Sequence, residues 1–179
     1  ATPKKDGKIT EECGRCGTVR SENVLHRPKT IRLSAKDYVY NGKEKRPSVT
    51  VTDKNGKTIR PQDYKIDYAK GRKAVGIYKV TVIFRGDRYT GQMSDTFTIR
   101  PQKVSLSRVQ NVKGRKMKIQ WKRAASVSGY QIQYAASSSF KGARSVQADS
   151  KKVSQTIGRL AKGKRCYVRI RAYKTVSGK

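Results

Sequence analysis

Short runs in which apolar and polar side chains alternate recur along this chain, and no segment shows a convincing helical period. Ile31 and Leu33 open the first clear run. In Pro47 to Thr52 the valines Val49 and Val51 point one way, while Ser48, Thr50 and Thr52 point the other. Tyr64, Ile66 and Tyr68 share a face. Tyr78, Val80, Val82 and Phe84 do the same, with Lys79 and Thr81 opposite, and Phe97 and Ile99 close the set before Pro101. The pattern then starts again. Met117, Ile119 and Trp121 alternate with Lys116, Lys118, Gln120 and Lys122, and Tyr130, Ile132 and Tyr134 follow. Thr156 and Ile157 mark a shorter strand that ends near Leu160. In the last run Cys166, Val168, Ile170 and Ala172 would face a core, and Tyr167, Arg169, Arg171 and Tyr173 would face out. A period of two is the geometry of a β-strand, whose successive side chains leave opposite faces.

Turn residues punctuate these runs every ~8–12 positions, the spacing of an all-β sandwich. Asp53-Lys54-Asn55-Gly56 is a strong turn signal. Gly71 breaks one run and Gly129 precedes another. Cys13-Gly14-Arg15-Cys16-Gly17 reads as a tight turn between strands predicted over 7–12 and 18–25. Pro101 to Lys103 reads as a linker. The pattern therefore predicts an all-β chain in three parts: a β-hairpin over 1–28, a sandwich over 29–101 and a second sandwich over 103–179. A chain of 179 residues is long enough for two small sandwiches of up to about 100 residues each.

Charge changes the picture of partners rather than of fold. The 43 Lys and Arg against 12 acidic residues give +31, and the excess rises along the chain. It is +2 over 1–28, +10 over 29–102 and +19 over 103–179, where Asp149 is the one carboxylate. Such a surface attracts polyanions such as nucleic acid, teichoic acid or sulfated glycans, and it also keeps a secreted protein soluble; composition leaves both open. The alternating Val, Ile and Tyr runs argue against disorder. No apolar stretch is long enough to predict a membrane-spanning helix. The absence of a signal-peptide pattern leaves a cytosolic protein or a fragment that begins downstream of one.

Candidate chemistry is sparse. His26 is the single histidine and would have to serve any Ser-His-Asp or Cys-His arrangement; an exposed structural role beside Arg27 and Pro28 is the simpler expectation. Asp63 and Asp67 are expected on one face of one strand, not across a cleft as glycoside hydrolysis requires. Gly71-Arg72-Lys73 is a basic turn without the helix N-terminus of a phosphate loop. No enzyme, metal centre or cofactor is expected. Cys13 and Cys16 have the spacing of one zinc knuckle, which is half a site; a disulfide or a pair of free thiols competes with that reading. Cys166 is expected to be buried and inert. The predicted ligand-binding surface is the outward row Tyr167, Arg169, Arg171 and Tyr173, joined by Gln131 and Gln133 from the neighbouring strand. Arg and Tyr together grip sulfate or phosphate and stack on sugars or bases.

Residues 103–179 resemble a fibronectin type III domain. Trp121 stands on the second strand, where that family keeps its core tryptophan, and Leu160 to Gly163 followed by Cys166 to Ala172 is similar to its approach to the sixth strand. The family's corner tyrosine is replaced by Cys166, at a cost of ~1 kcal/mol for the lost hydrogen bond. The resemblance extends through Ala1 to Lys8, Cys13 to Gly17, Pro28 to Ser34, Tyr38 to Gly42, Pro47 to Val51, Asp63-Tyr64, Gly71 to Lys73 and Val75 to Val82. It points to large extracellular surface proteins of gut Clostridia and their relatives, in which a Cys-x-x-Cys-Gly hairpin precedes an immunoglobulin-like domain and often a fibronectin type III domain. What the resemblance implies is a non-catalytic stalk or adhesive module of a secreted Gram-positive protein. Its expected partner is a host or cell-wall ligand, an anionic polysaccharide or a protein, with nucleic acid only as a non-specific polyanion. The final strand of that domain is absent from the sequence, so the run over 166–174 is expected to be an open edge prone to dimerisation or strand exchange.

Overall fold

A computed structural model describes residues 1–176. Apart from one 3-10 turn at Pro61–Asp63, every regular element described is a β-strand. Two compact units form. One comprises Ala1–Tyr38, Glu44–Arg72 and Ile77–Thr98; the other comprises Val39–Lys43, Lys73–Gly76 and the described residues from Ile99 onward.

The first unit begins with a hairpin of β1 (Gly7–Glu12) and β2 (Val19–Leu25), with Gly7 opposite Leu25 and an irregularity at Glu11/Glu12. A two-strand ribbon is marginal alone, and this one is anchored. Leu25 is buried in a core with Val51, Ile59, Tyr64, Val82, Phe84 and Tyr89, and Ile9 packs against it. Asp6, just before β1, accepts from the Arg27 N–H at 2.8 Å and from the Lys54 ammonium. The sandwich has two sheets. β3 (Pro28–Leu33) pairs antiparallel with β5 (Val49–Asp53). β4 (Asp37–Val39), β8 (Gln92–Arg100), β7 (Gly76–Phe84) and β6 (Tyr64–Tyr68) lie in that order in the other sheet. The rings of Tyr38 and Tyr78 pack on Phe97 with centroids 5.7 and 5.6 Å away. The predicted turn after β5 forms around Asp53. Its buried carboxylate accepts from the Asn55 and Lys57 N–H groups, each at 2.9 Å, and Gly56 supplies a φ of 84° that costs a side-chain-bearing residue strain.

The second unit packs one three-stranded sheet, β13 (Ser154–Ile157), β10 (Lys116–Trp121) and β9 (Leu106–Val112), with another, β12 (Arg144–Asp149), β11 (Gly129–Ala135) and β14 (Tyr167–Tyr173). The alternation predicted from sequence lands on this core: Met117, Ile119, Trp121, Tyr130, Ile132 and Ile157 are buried, and Cys166, Val168, Ile170 and Ala172 pack against them. Trp121 lies 5.3 Å from the Tyr130 ring, whose hydroxyl accepts from the Ala124 N–H at 2.8 Å. Burying that indole contributes several kcal/mol, at about 25 cal/mol per Å² over its ~150–250 Å².

Strands β4, β9 and β12 carry too weak a pattern to be read in advance. In β12 the inward positions are only Ala148, buried, and Val146, half-buried. Three local expectations need correction. Asp63 belongs to the 3-10 turn and pairs with Arg60, so it does not share a strand face with Asp67. Cys166 is half-buried, because it sits just before β14 beside an open groove. His26 is likewise half-buried: its Nδ1 is 3.9 Å from an Asp6 carboxylate oxygen, beyond hydrogen-bond reach.

Candidate functional site

The outer face of the β12–β11–β14 sheet brings the predicted ligand residues together. Registers place Gln131 opposite Arg171, Gln133 opposite Arg169, Gly129 opposite Tyr173 and Ala135 opposite Tyr167. Across the other side of β11, Gln131 faces Gln147 and Gln133 faces Ser145. The side chains then connect. Arg171 Nε donates to Gln131 Oε1 at 2.6 Å, and Arg169 Nε donates to Gln133 Oε1 at 2.8 Å. Gln133 Nε2 donates onward to Ser145 Oγ at 3.3 Å. Arg169 also lies over the Phe140 ring at 4.2 Å, a cation–π contact. Tyr173 folds across Gly129, where an added Cβ would meet its hydroxyl oxygen at 2.9 Å, and reaches Gln147 Oε1 at 3.4 Å. Tyr167 stands at the end of the row, opposite Ala135.

A guanidinium held at Nε by a neutral amide keeps its full charge and its paired Nη donors. Those donors match a sulfate, phosphate or carboxylate in bidentate geometry. Both arginines are exposed. The surface is a cationic platform whose two arginines are positioned by glutamines.

Sequence reasoning missed a second basic feature of this unit. A groove of about 860 Å³ lies among the end of β9, the start of β10, the end of β11 and the segment that leads into β14. Val109 and Val112 line it and remain 48% and 42% exposed. Seven lining residues are Lys or Arg and none is acidic; four of them come from residues 159–165. That dense basic run was the available signal, but it sits outside the strands, where alternation says nothing about which way side chains face.

The hairpin tip holds the Cys-x-x-Cys pair. Gly17 N–H donates to the Cys13 carbonyl and Cys13 N–H to the Thr18 carbonyl, both at 2.8 Å. Cys13 and Cys16 are free thiols. Backbone N–H groups of Arg15 and Cys16, the Cys16 side chain and Arg20 all stabilise the Cys13 thiolate, in that order, and hold its pKa down to about 7. Among the described residues no group of three or more His, Cys, Asp or Glu side chains gathers as metal ligands. Asp67 is exposed on β6, opposite Thr81.

No protein-family model matches the chain, and no curated protein matches it. Among solved structures, a segment of two fibronectin type III domains from chicken tenascin superposes with a TM-score of 0.53. It is 15% identical, over 83% of this chain and 91% of that one. The FN1–FN3 domains of chicken CNTN1 match at 20% identity with a TM-score of 0.37, over 56% of this chain and 36% of that one. Domains A168–A170 of titin match at 12% identity with a TM-score of 0.35, over 93% and 77%. The tenascin likeness shows the fold alone, β-sandwiches of the fibronectin type III kind.

Proposed function

We propose that this chain is a non-catalytic adhesive or spacer module of a secreted bacterial surface protein, and that it binds anionic polymers through the outer face of its second sandwich. One observation carries the binding reading: Arg169 and Arg171 are lined up by Gln133 and Gln131 on an exposed sheet face. The sequence resemblance to surface proteins of gut Clostridia supports the extracellular placement, with a host or cell-wall polyanion as ligand. The test measures binding to a sulfated polysaccharide, a teichoic acid and duplex DNA over a range of salt. The module reading expects the glycan or wall polymer to be preferred at equal charge density. It also expects Arg169→Gln with Arg171→Gln to reduce the slope of log affinity against log salt by about two. Equal binding to all three polymers, unmoved by that double substitution, would show a generic polyanion surface, and a preference for the DNA would favour a basic nucleic-acid-binding protein instead.

A second reading, an interaction scaffold completed by a partner strand, is favoured by the sheet order. Among the described residues β14 pairs with β11 alone, and an unpaired edge is a template for strand addition. Sedimentation analysis tests it. Concentration-dependent dimers that are lost on Val168→Pro support it, and a monomer at all concentrations removes it.

A further inference from the structure

The hairpin tip is not used by the adhesive reading, yet its chemistry is specific. The turn that carries the Cys13 sulfur is closed by the Gly17 N–H, which donates to the Cys13 carbonyl at 2.8 Å. The Arg20 guanidinium lies 3.7 Å from that sulfur. The Cys16 sulfur lies 3.2 Å from the Thr18 hydroxyl oxygen and is exposed. Gly17, at φ 69°, supplies the left-handed backbone that closes the turn. Of the nearby acids, Glu11 accepts from Ser21 at 2.9 Å and Glu12 sits opposite Val19 in the register. The charged groups around the sulfur are therefore Arg20, which touches it, and Arg15 and Glu12 beside the turn. Cys166 offers a contrast in the other unit: it is half-buried, with only the Tyr167 carbonyl 3.8 Å from its sulfur.

We infer that the Cys13–Cys16 turn is a thiol–disulfide exchange site for organic or peptide disulfides, with Cys13 as the attacking sulfur and Cys16 as the resolving one. A guanidinium 3.7 Å from the sulfur favours a thiolate over a thiol, and Cys13, half-buried at a hairpin tip, is open to an incoming disulfide. In the first step the Cys13 thiolate attacks one sulfur of R–S–S–R. The S–S bond breaks, one RS⁻ leaves with the electron pair and takes a proton from solvent, and a Cys13–S–S–R mixed disulfide remains. In the second step Cys16 loses its proton to solvent and attacks the Cys13 sulfur. The mixed bond breaks, a second RS⁻ leaves, and a Cys13–Cys16 disulfide forms. The protein's two thiols lose two electrons and the organic disulfide gains them. The reverse sequence delivers oxidising equivalents to an incoming thiol pair.

The experiment treats the reduced full chain with oxidised glutathione and follows adducts by intact and peptide mass spectrometry. Wild type is expected to lose two hydrogens at Cys13–Cys16 with only a transient adduct, and Cys16→Ser to stop at a stable mixed disulfide on Cys13. Cys13→Ser is expected to react at least ~10-fold more slowly, and Arg20→Gln a few-fold more slowly with its pH midpoint raised. Circular dichroism of each variant verifies that the fold is intact, and Cys166 within the same chain serves as the internal reference. Equal rates at Cys13 and Cys166 would overturn the inference, as would accumulation of the wild-type mixed disulfide. So would tight zinc binding at one ion per two chains that blocks the reaction, since that outcome makes the turn a shared metal knuckle. None of these readouts depends on polyanion binding.

Discussion

The two units are sandwiches of the same general kind that hold their cations in different ways. The first sets carboxylates among its basic side chains: Lys36 pairs with Asp95 at 2.9 Å, Arg72 with Glu44 at 2.6 Å and Lys8 with Glu22 at 2.6 Å. Over residues 103–179 the sequence supplies one carboxylate, Asp149, and that group accepts from the Lys151 N–H at 2.8 Å to shape a turn. Cations there are held by neutral groups instead. Arg169 and Arg171 are held by glutamines, Arg169 also by the Phe140 ring, and Arg123 by the Lys151 carbonyl at 2.7 Å. A carboxylate both places and neutralises a cation, whereas an amide or an aromatic face places it and leaves the charge available. Exposed ion pairs contribute at most ~1 kcal/mol to folding, so the contrast matters for binding more than for stability.

The largest expected effect tests the core of the more basic unit. Trp121→Ala should destabilise the second sandwich by ~3–5 kcal/mol, read as a loss of amide-exchange protection over β9 to β14 while β5 and β7 stay protected. Equal loss in both units would mean that they do not unfold separately. Next, Gly129→Ala should cost ~1–3 kcal/mol by overpacking, because its Cβ would meet the Ala148 carbonyl oxygen at 2.6 Å and displace Tyr173. Thermal denaturation checks the cost, and altered Tyr173 ring signals in NMR check the displacement.

The contrast itself is tested by converting one mode into the other. Gln131→Glu with Gln133→Glu leaves every arginine in place and gives each a carboxylate partner. Polyanion affinity at low salt should fall by ~10-fold or more, since two of the cations that release counterions are cancelled, while stability changes by less than ~1 kcal/mol. Unchanged affinity would place binding elsewhere, with the basic groove the first alternative.

The smallest effect concerns the hairpin. A hydrogen bond from Lys54, then one from the Arg27 backbone, hold the Asp6 carboxyl below the usual carboxylate range. Its folded-state pKa is thus depressed, so its contribution is present above the ordinary aspartate value of about 4 and fades as pH falls through the depressed one. Asp6→Asn at neutral pH and acidification of the wild type should both speed amide exchange in β1 and β2 relative to β7. Exchange that responds to neither would mean that Leu25 and Ile9 alone anchor the hairpin.

Much of this was readable in advance where a period of two operates on large side chains. Met117, Ile119 and Trp121 are buried, and Arg169 and Arg171 are exposed, as alternation assigns them. The reading failed where the inward residues are small, as in β12, or where a segment leaves the strand geometry, as at Asp63 and Cys166.

Inward and outward sets, turn positions and the concentration of charge toward the C-terminal half are local properties, and the order of residues alone determined them. Strand partners were not determined that way. That β11 lies between β12 and β14, so that Gln131 meets Arg171 and Gln133 meets Arg169, depends on pairings ~40 positions apart, which no local period encodes. The groove that joins Val109 to Cys166 arises in the same way. Alternation states which face a side chain takes; only the packed sheets decide which distant side chain stands beside it.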